Sequence, residues 1–176
     1  GGPHTLKYGV TTNHVLGFRL VLPDGEILDL GGPASDLPGY DLRGLYIGSE
    51  GTMGIVTEAL VRLIPTPQTC RTMLAIFDRV EDASQTVSDI IGMGIVPAAL
   101  EMMDRRIIAA VEEAYHFGFP EGAEAALIVE LDGLEAGINS LADRVLEVFR
   151  LNRAGSVRLA QTEEERKLLW ASRKGA

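Results

Sequence analysis

Short apolar runs broken by Gly and Pro fill the first third of the chain, and longer segments with helical periodicity dominate the rest. Residues 14–22 read as a strand. Pro23-Asp24-Gly25-Glu26 supplies turn chemistry, with Gly tolerating positive φ, and residues 27–30 return as a partner strand, completing a hairpin. Over residues 55–63, Ile55, Thr57, Ala59, Val61 and Leu63 alternate with Val56, Glu58, Leu60 and Arg62. That alternation predicts a strand covered on one face and partly on the other. Pro65 and Pro67 end it.

Beyond Pro65-Thr66-Pro67 strands and helices alternate. Residues 73–77 read as a strand, and residues 82–93 as a helix with Ala83, Val87, Ile90 and Ile91 on one face and Gly94 as its stop. A strand over 96–103, a helix over 105–115 and a strand over 125–131 follow. Leu134, Ile138, Leu141, Val145 and Val148 then mark the stripe of a longer helix. Residues 156–160 give a last strand. Thr162 with Glu165 three residues on makes a capping-box signature, and Glu163 and Glu164 suit the positive end of the helix dipole. The fold class is α+β in two parts, residues 1–67 and residues 68–176, the second a ferredoxin-like split βαβ arrangement with an extra helix.

Charge narrows the functions. The net charge of −9 over 176 residues disfavours a surface that neutralises phosphates, and so argues against nucleic acid and anionic membranes as partners. Cys70 has no second cysteine to pair with, and no apolar run approaches the roughly 18 residues of a membrane-spanning helix. A cytoplasmic, reducing compartment fits. Gly1-Gly2-Pro3 opens the chain without an initiator Met, and the last residues stop inside a helical pattern, so an internal fragment is expected.

Two places carry candidate chemistry. In Gly48-Ser49-Glu50-Gly51-Thr52-Met53-Gly54, three glycines in seven residues let backbone N–H groups approach a ligand; the same composition also serves as a mere connection. The run precedes a strand and lacks both the Gly-Lys-Ser/Thr ending of a P-loop and the Gly-x-Gly-x-x-Gly opening of a Rossmann helix, which argues against those nucleotide sites. Arg173, in Trp170-Ala171-Ser172-Arg173-Lys174, offers a planar fork for a carboxylate, or is a solvated charge complementing the helix end. His4, His14 and His116 show no metal-ligand spacing, and no metal site is expected. Asp24, Glu26 and Asp29 are explained by the hairpin, Tyr40-Asp41 by fixing the following loop, and Met102, Met103, Phe117 and Phe119 by packing.

The whole set of motifs is more specific than any one. Gly1-Gly2-Pro3, Lys7-Tyr8-Gly9-Val10-Thr11, Val15-Leu16-Gly17, Leu22-Pro23-Asp24-Gly25-Glu26, Gly39-Tyr40-Asp41-Leu42 and residues 48–59 stand in the order and spacing of the FAD-linked oxidase family of vanillyl-alcohol-oxidase type. The resemblance spans the chain, strongest to Pro67, and is nearest the glycolate-oxidizing branch. It implies FAD between two α+β subdomains, with residues 1–67 the rear of the FAD-binding domain and residues 68–176 the substrate-side cap. It also implies that Gly1 and Gly2 lie beside the flavin and that Glu50, Gly51, Thr52, Met53, Gly54, Ile55 and Val56 line it, with Arg173 anchoring the substrate carboxylate.

The reaction implied is oxidation of a small 2-hydroxy acid by hydride transfer to flavin, glycolate to glyoxylate in the first place, with D-lactate or another D-2-hydroxy acid as the alternative. The catalytic base is expected outside the chain, which alone would be inactive. Companion flavin-like and iron–sulfur subunits are the implied partners, placing the protein in the cytoplasm or peripherally at the membrane. Self-association through surfaces left open is expected. A reading of another class remains: a non-catalytic α+β binding or assembly module.

Overall fold

The computed structural model describes residues 2–34 and 39–174. Two compact units emerge, one spanning Gly9–Thr66, the other combining Gly2–Tyr8 with the chain from Pro67 onward.

The first unit is a three-stranded antiparallel sheet. The hairpin joins β1 (Val15–Val21) to β2 (Ile27–Gly31), and β3 (Ile55–Val61) pairs along the other side of β1, giving the order β2-β1-β3. Gly25 at φ 86° turns the chain, Asp24 Oδ1 accepts the Glu26 N–H, and Leu22 N–H donates to the Glu26 carbonyl. Phe18 and Leu20 of β1 point inward, and Phe18 meets Tyr46 of the short helix α2 (Arg43–Tyr46) edge to face. Arg19, on the opposite face, spans both neighbours, donating to Asp29 and Glu58 at the positions paired with it. Every residue of β3 is exposed, contrary to the strand covered on one face that its alternation suggests. Its pairing with β1 carries two register irregularities, between Val15 and Gly17 and between Arg19 and Leu20, and an alternating pattern does not by itself bring a covering layer.

The second unit is an antiparallel sheet of order β5-β6-β4-β7, built from β4 (Thr69–Phe77), β5 (Ala99–Asp104), β6 (Ala125–Gly133) and β7 (Ser156–Leu159). Helices α3 (Val80–Gly92) and α5 (Glu135–Leu151) make the two crossovers of a split βαβ fold and cover one face. Met73, Ala75, Phe77, Leu127, Val129 and Leu131 pack there against Ala83, Ile90, Ile138, Val145 and Phe149. On the other face α4 (Arg105–Tyr115) and α6 (Glu163–Lys174) cover Leu74, Ile76, Ala99, Met103, Ala126 and Ile128. Coverage on both faces explains why β6 reads as a nearly continuous apolar run rather than an alternation. Each fully buried branched side chain there contributes about 2 kcal/mol.

The helix ends follow their local chemistry. Gly94 at φ 73° closes α3 in a Schellman arrangement, with Ile95 N–H donating to the Ile90 carbonyl and Gly94 N–H to that of Ile91. Asp104 caps α4 by accepting the Ile107 N–H at 2.9 Å. Thr162 Oγ1 accepts the Glu165 N–H, while the Glu165 carboxylate reaches back to the Gln161 N–H, one residue before the usual capping-box partner. A segment α1 (Thr5–Tyr8) precedes the first unit in sequence but packs with the second, near β5.

Candidate functional site

In the first unit the glycine-rich loop makes one wall of a cleft of about 340 Å³, and Phe18, Ile55, Val56 and Ala59 make an apolar wall. Glu50 sits at φ 52°, a left-handed conformation uncommon for a residue with a side chain, between Gly48 at φ 89° and Gly51 at φ 81°. Thr52 returns its N–H and its hydroxyl to the Ser49 carbonyl, which closes the turn. Gly54 enters β3 at φ 152°, where a side chain would come within 2.9 Å of Leu20 Cδ1 and of the Val21 carbonyl oxygen. Bare backbone on one side and exposed aliphatic side chains on the other fit a flat ring system with polar edges, as a flavin is. Gly48, Glu50, Gly51, Gly54, Ile55 and Val56 are brought together here; Thr52 braces the loop, and Thr52 and Met53 do not line the cleft.

In the second unit a cleft of about 390 Å³ is lined by Gly2, Pro3, Glu101, Trp170 and Arg173. Arg173 lies near the end of α6 and donates from Nε to Glu101 Oε2 at 3.0 Å. One turn earlier Trp170 is 8% exposed and donates from Nε1 to Glu130 Oε2 at 2.6 Å. That same oxygen accepts from Thr72 Oγ1 at 2.7 Å and from Arg166 Nη1 at 3.3 Å. Glu130 itself is 4% exposed, so three donors take the place of the water it has lost. Hydrogen bonding to Glu163 first, then the nearby Glu130, raises the Arg166 guanidinium above its ordinary pKa.

Gly2 comes to this cleft through the segment that follows it. His4 Nδ1 lies 3.0 Å from the Ala98 carbonyl, which can only accept, so the proton sits on Nδ1, and the ring leans on Trp170 at 6.1 Å. Lys7 and Tyr8 both donate to the Asp132 carboxylate, and Lys7 Nζ also reaches the Asp132 carbonyl at 2.7 Å. Burial first, and the hydrogen bond to Asp132 second, push the Tyr8 phenol up to about 12.

Gly2 and Arg173 thus share one cleft, and the glycine-rich loop lines the other; Gly1 lies outside the described residues. Cys70 is pushed up to about 11, chiefly by burial, which suits an inert thiol. His116 ends α4 in a left-handed conformation at φ 53°, next to the mutually tilted rings of Tyr115, Phe117 and Phe119. Among the described residues no group of three His, Cys, Asp or Glu side chains is placed to hold a metal ion, and no helix is long and apolar enough to cross a membrane. Sequence reasoning passed over Glu130, Glu101 and Asp132. Glu130 had a visible signal, one acid inside the apolar run Ala125-Ala126-Leu127-Ile128-Val129-Glu130-Leu131, whereas Glu101 and Asp132 become notable only through partners distant in sequence.

The two units are thus a three-stranded sheet bearing a glycine-rich cleft and a split βαβ fold bearing a second one. Residues 66–176 match the family described as FAD linked oxidases, C-terminal domain, and the chain belongs to that family. Along its whole length it is 48% identical to glycolate oxidase subunit GlcD of Escherichia coli and 44% identical to the GlcD subunit of Bacillus subtilis, covering 35% and 38% of those proteins. It is 33% identical over 99% of its length to a mitochondrial D-lactate dehydrogenase (cytochrome) of Saccharomyces cerevisiae, of which it covers 30%. The chain therefore spans about a third of the length of the curated relatives it matches. Among solved structures, alkyldihydroxyacetonephosphate synthase matches with a TM-score of 0.72 at 22% identity, over 99% of this chain and 35% of that one. A 4-ethylphenol oxidase of Gulosibacter chungangensis matches with a TM-score of 0.66 at 19% identity, over 93% and 38%. These structural likenesses bear on the fold alone.

Proposed function

We propose that the protein is an FAD-dependent oxidoreductase of a small 2-hydroxy acid, with glycolate, oxidised to glyoxylate, as the favoured substrate. The observation that carries this reading is the likeness to glycolate oxidase subunits, which covers both units. The weaker likeness to a D-lactate dehydrogenase supports D-lactate as the second choice. In this reading residues 1–67 belong to the FAD-binding domain and residues 68–176 to the cap. Gly1, Gly2 and residues 50–56 hold the cofactor: backbone at Glu50, Gly51 and Gly54 takes the polar edge, Ile55 and Val56 the flat face, and Thr52 and Met53 support the loop.

Bound FAD supplies the acceptor for the two electrons and the hydrogen leaving the substrate α-carbon. Arg173 receives the substrate carboxylate through paired N–H donors and so restricts the orientation of the α-carbon. Glu130 holds the helix that carries it, through Trp170 and Arg166. The hydroxyl proton passes to a base outside these 176 residues. Electrons then leave toward companion flavin-like and iron–sulfur subunits, which would place the protein in the cytoplasm or at a membrane surface through those partners.

The test is a visible spectrum of the protein produced from its whole gene, before and after anaerobic glycolate. The expected result is a flavin spectrum that bleaches with glycolate and, in Arg173→Ala with FAD still bound, bleaches at least about a hundredfold more slowly at the same substrate concentration. A folded protein that takes up no flavin when FAD is supplied overturns the reading and leaves a non-catalytic binding or assembly module.

A further inference from the structure

We propose that Glu101 is a positioning residue for Arg173: its carboxylate takes the guanidinium Nε–H and leaves the two Nη groups as the fork that receives a substrate carboxylate. This inference rests on the carboxylate-anchoring role given to Arg173 above.

A guanidinium can grip a carboxylate from its side, through Nε and one Nη, or from its end, through both Nη groups. In this cleft Nε already donates to Glu101 Oε2 at 3.0 Å, and among the described residues Glu101 is the only partner of Arg173. The end fork is therefore the one left whole. Both side chains line the cleft, and the Arg173 and Glu101 side chains are 41% and 23% exposed. An ion pair this open to water adds little to folding stability, so its consequence is conformational: it selects one arrangement of a long, flexible side chain.

The placement works because the backbone beneath is already fixed. Trp170, one turn before Arg173, is buried and bonded to Glu130 on β6, and Ser172 returns its hydroxyl to the Leu169 carbonyl at 2.6 Å. Ala99 of β5 stands opposite Glu130, and Glu101, two residues further, projects from the same face of the sheet. Glu130 thus fixes the helix, and Glu101 fixes the side chain that the helix presents.

The test uses the flavin-loaded protein and two variants that separate reach from charge. Glu101→Gln loses the charge but keeps an oxygen at the right distance, while Glu101→Asp keeps the charge and falls short by one methylene. Acetate, a carboxylate that cannot react, is titrated by calorimetry, and KM and kcat for glycolate are measured beside it. Ordering a rotamer-rich side chain at the moment of binding weakens affinity by about fivefold. Glu101→Asp is therefore expected to weaken acetate binding and raise KM by about that factor, with Glu101→Gln recovering most of the loss and both melting close to the native temperature. The opposite ranking, with Gln impaired and Asp spared, overturns the proposal in favour of a purely electrostatic effect. Values within twofold of native in both variants overturn it too, and tighter acetate binding in either would make Glu101 a competitor to be displaced. If acetate binding does not depend on Arg173, by the Arg173→Ala control, the anchoring reading itself falls and this inference with it. Binding that depends on Arg173 and not on Glu101 removes the inference alone.

Discussion

Single side chains in the second unit matter mostly through donors gathered on carboxylates. Asp132 takes Lys7 and Tyr8, and Glu130 takes Thr72, Trp170 and Arg166. The first of these ties the opening segment to β6, and its strength can be read from pH. Tyr8 ordinarily titrates near 10.0 and in the fold is pushed up to about 12, so the folded state favours the protonated phenol. The stability it contributes is fully present below about pH 10 and is lost as pH rises toward 12. Tyr8→Phe is expected to lose about 1 kcal/mol at pH 8, the net worth of one hydrogen bond, and to show a shallower decline than the native protein between pH 10 and 12. Urea unfolding of both proteins across that range checks it; parallel curves would mean that the phenol is not coupled to folding.

At the scale of elements, conformations tolerable only to glycine shape the loop before β3. A Cβ at Gly54 would meet Leu20 Cδ1 and the Val21 carbonyl at 2.9 Å, with φ at 152°. At Gly48 the strain is conformational only, since a Cβ there meets nothing within 4 Å. Gly54→Ala should therefore lose about 2–3 kcal/mol and Gly48→Ala about 1, measured by urea unfolding of the same protein. Equal losses would show that the approach to β1 relaxes freely. This loop was legible from its glycines, as were the helices of the second unit from their apolar stripes. Other details were not. β4 begins at Thr69 rather than Met73 because Thr69, Cys70, Arg71 and Thr72 pair with Gly133 through Glu130, and polar residues mask a strand whose evidence lies in its partner. In α3, Thr86 turns inward where Ile91 was expected, because its hydroxyl is satisfied by the Asp82 carbonyl at 2.8 Å. Of the site, Arg173 and the glycine-rich loop came from motifs, whereas Glu130 and Glu101 acquire meaning only when α6 folds back onto the sheet.

For the molecule as a whole, the two units differ in how fully they bury what they carry. The second unit encloses its sheet between two helical layers, but the first leaves Ile55, Val56, Leu60 and Val61 of β3 exposed, followed by Leu63 at 86% and Ile64 at 48%. β3 is also an edge strand, with backbone donors and acceptors along its free side and no Pro within it. An apolar edge of this kind is a template for strand pairing, and the partner available to a purified 176-residue chain is a second copy of itself. Sedimentation velocity on this chain should therefore show mass growing with concentration, and the paired substitutions Leu60→Lys and Val61→Lys should return it to monomer by placing a charge on each face of the edge. The net charge of −9 opposes association at low salt, so the effect should strengthen as salt screens it. A chain that stays monomeric at high concentration and high salt would place the drive for covering β3 below the entropy of bringing two copies together, and the exposed strand would then be tolerated rather than sticky.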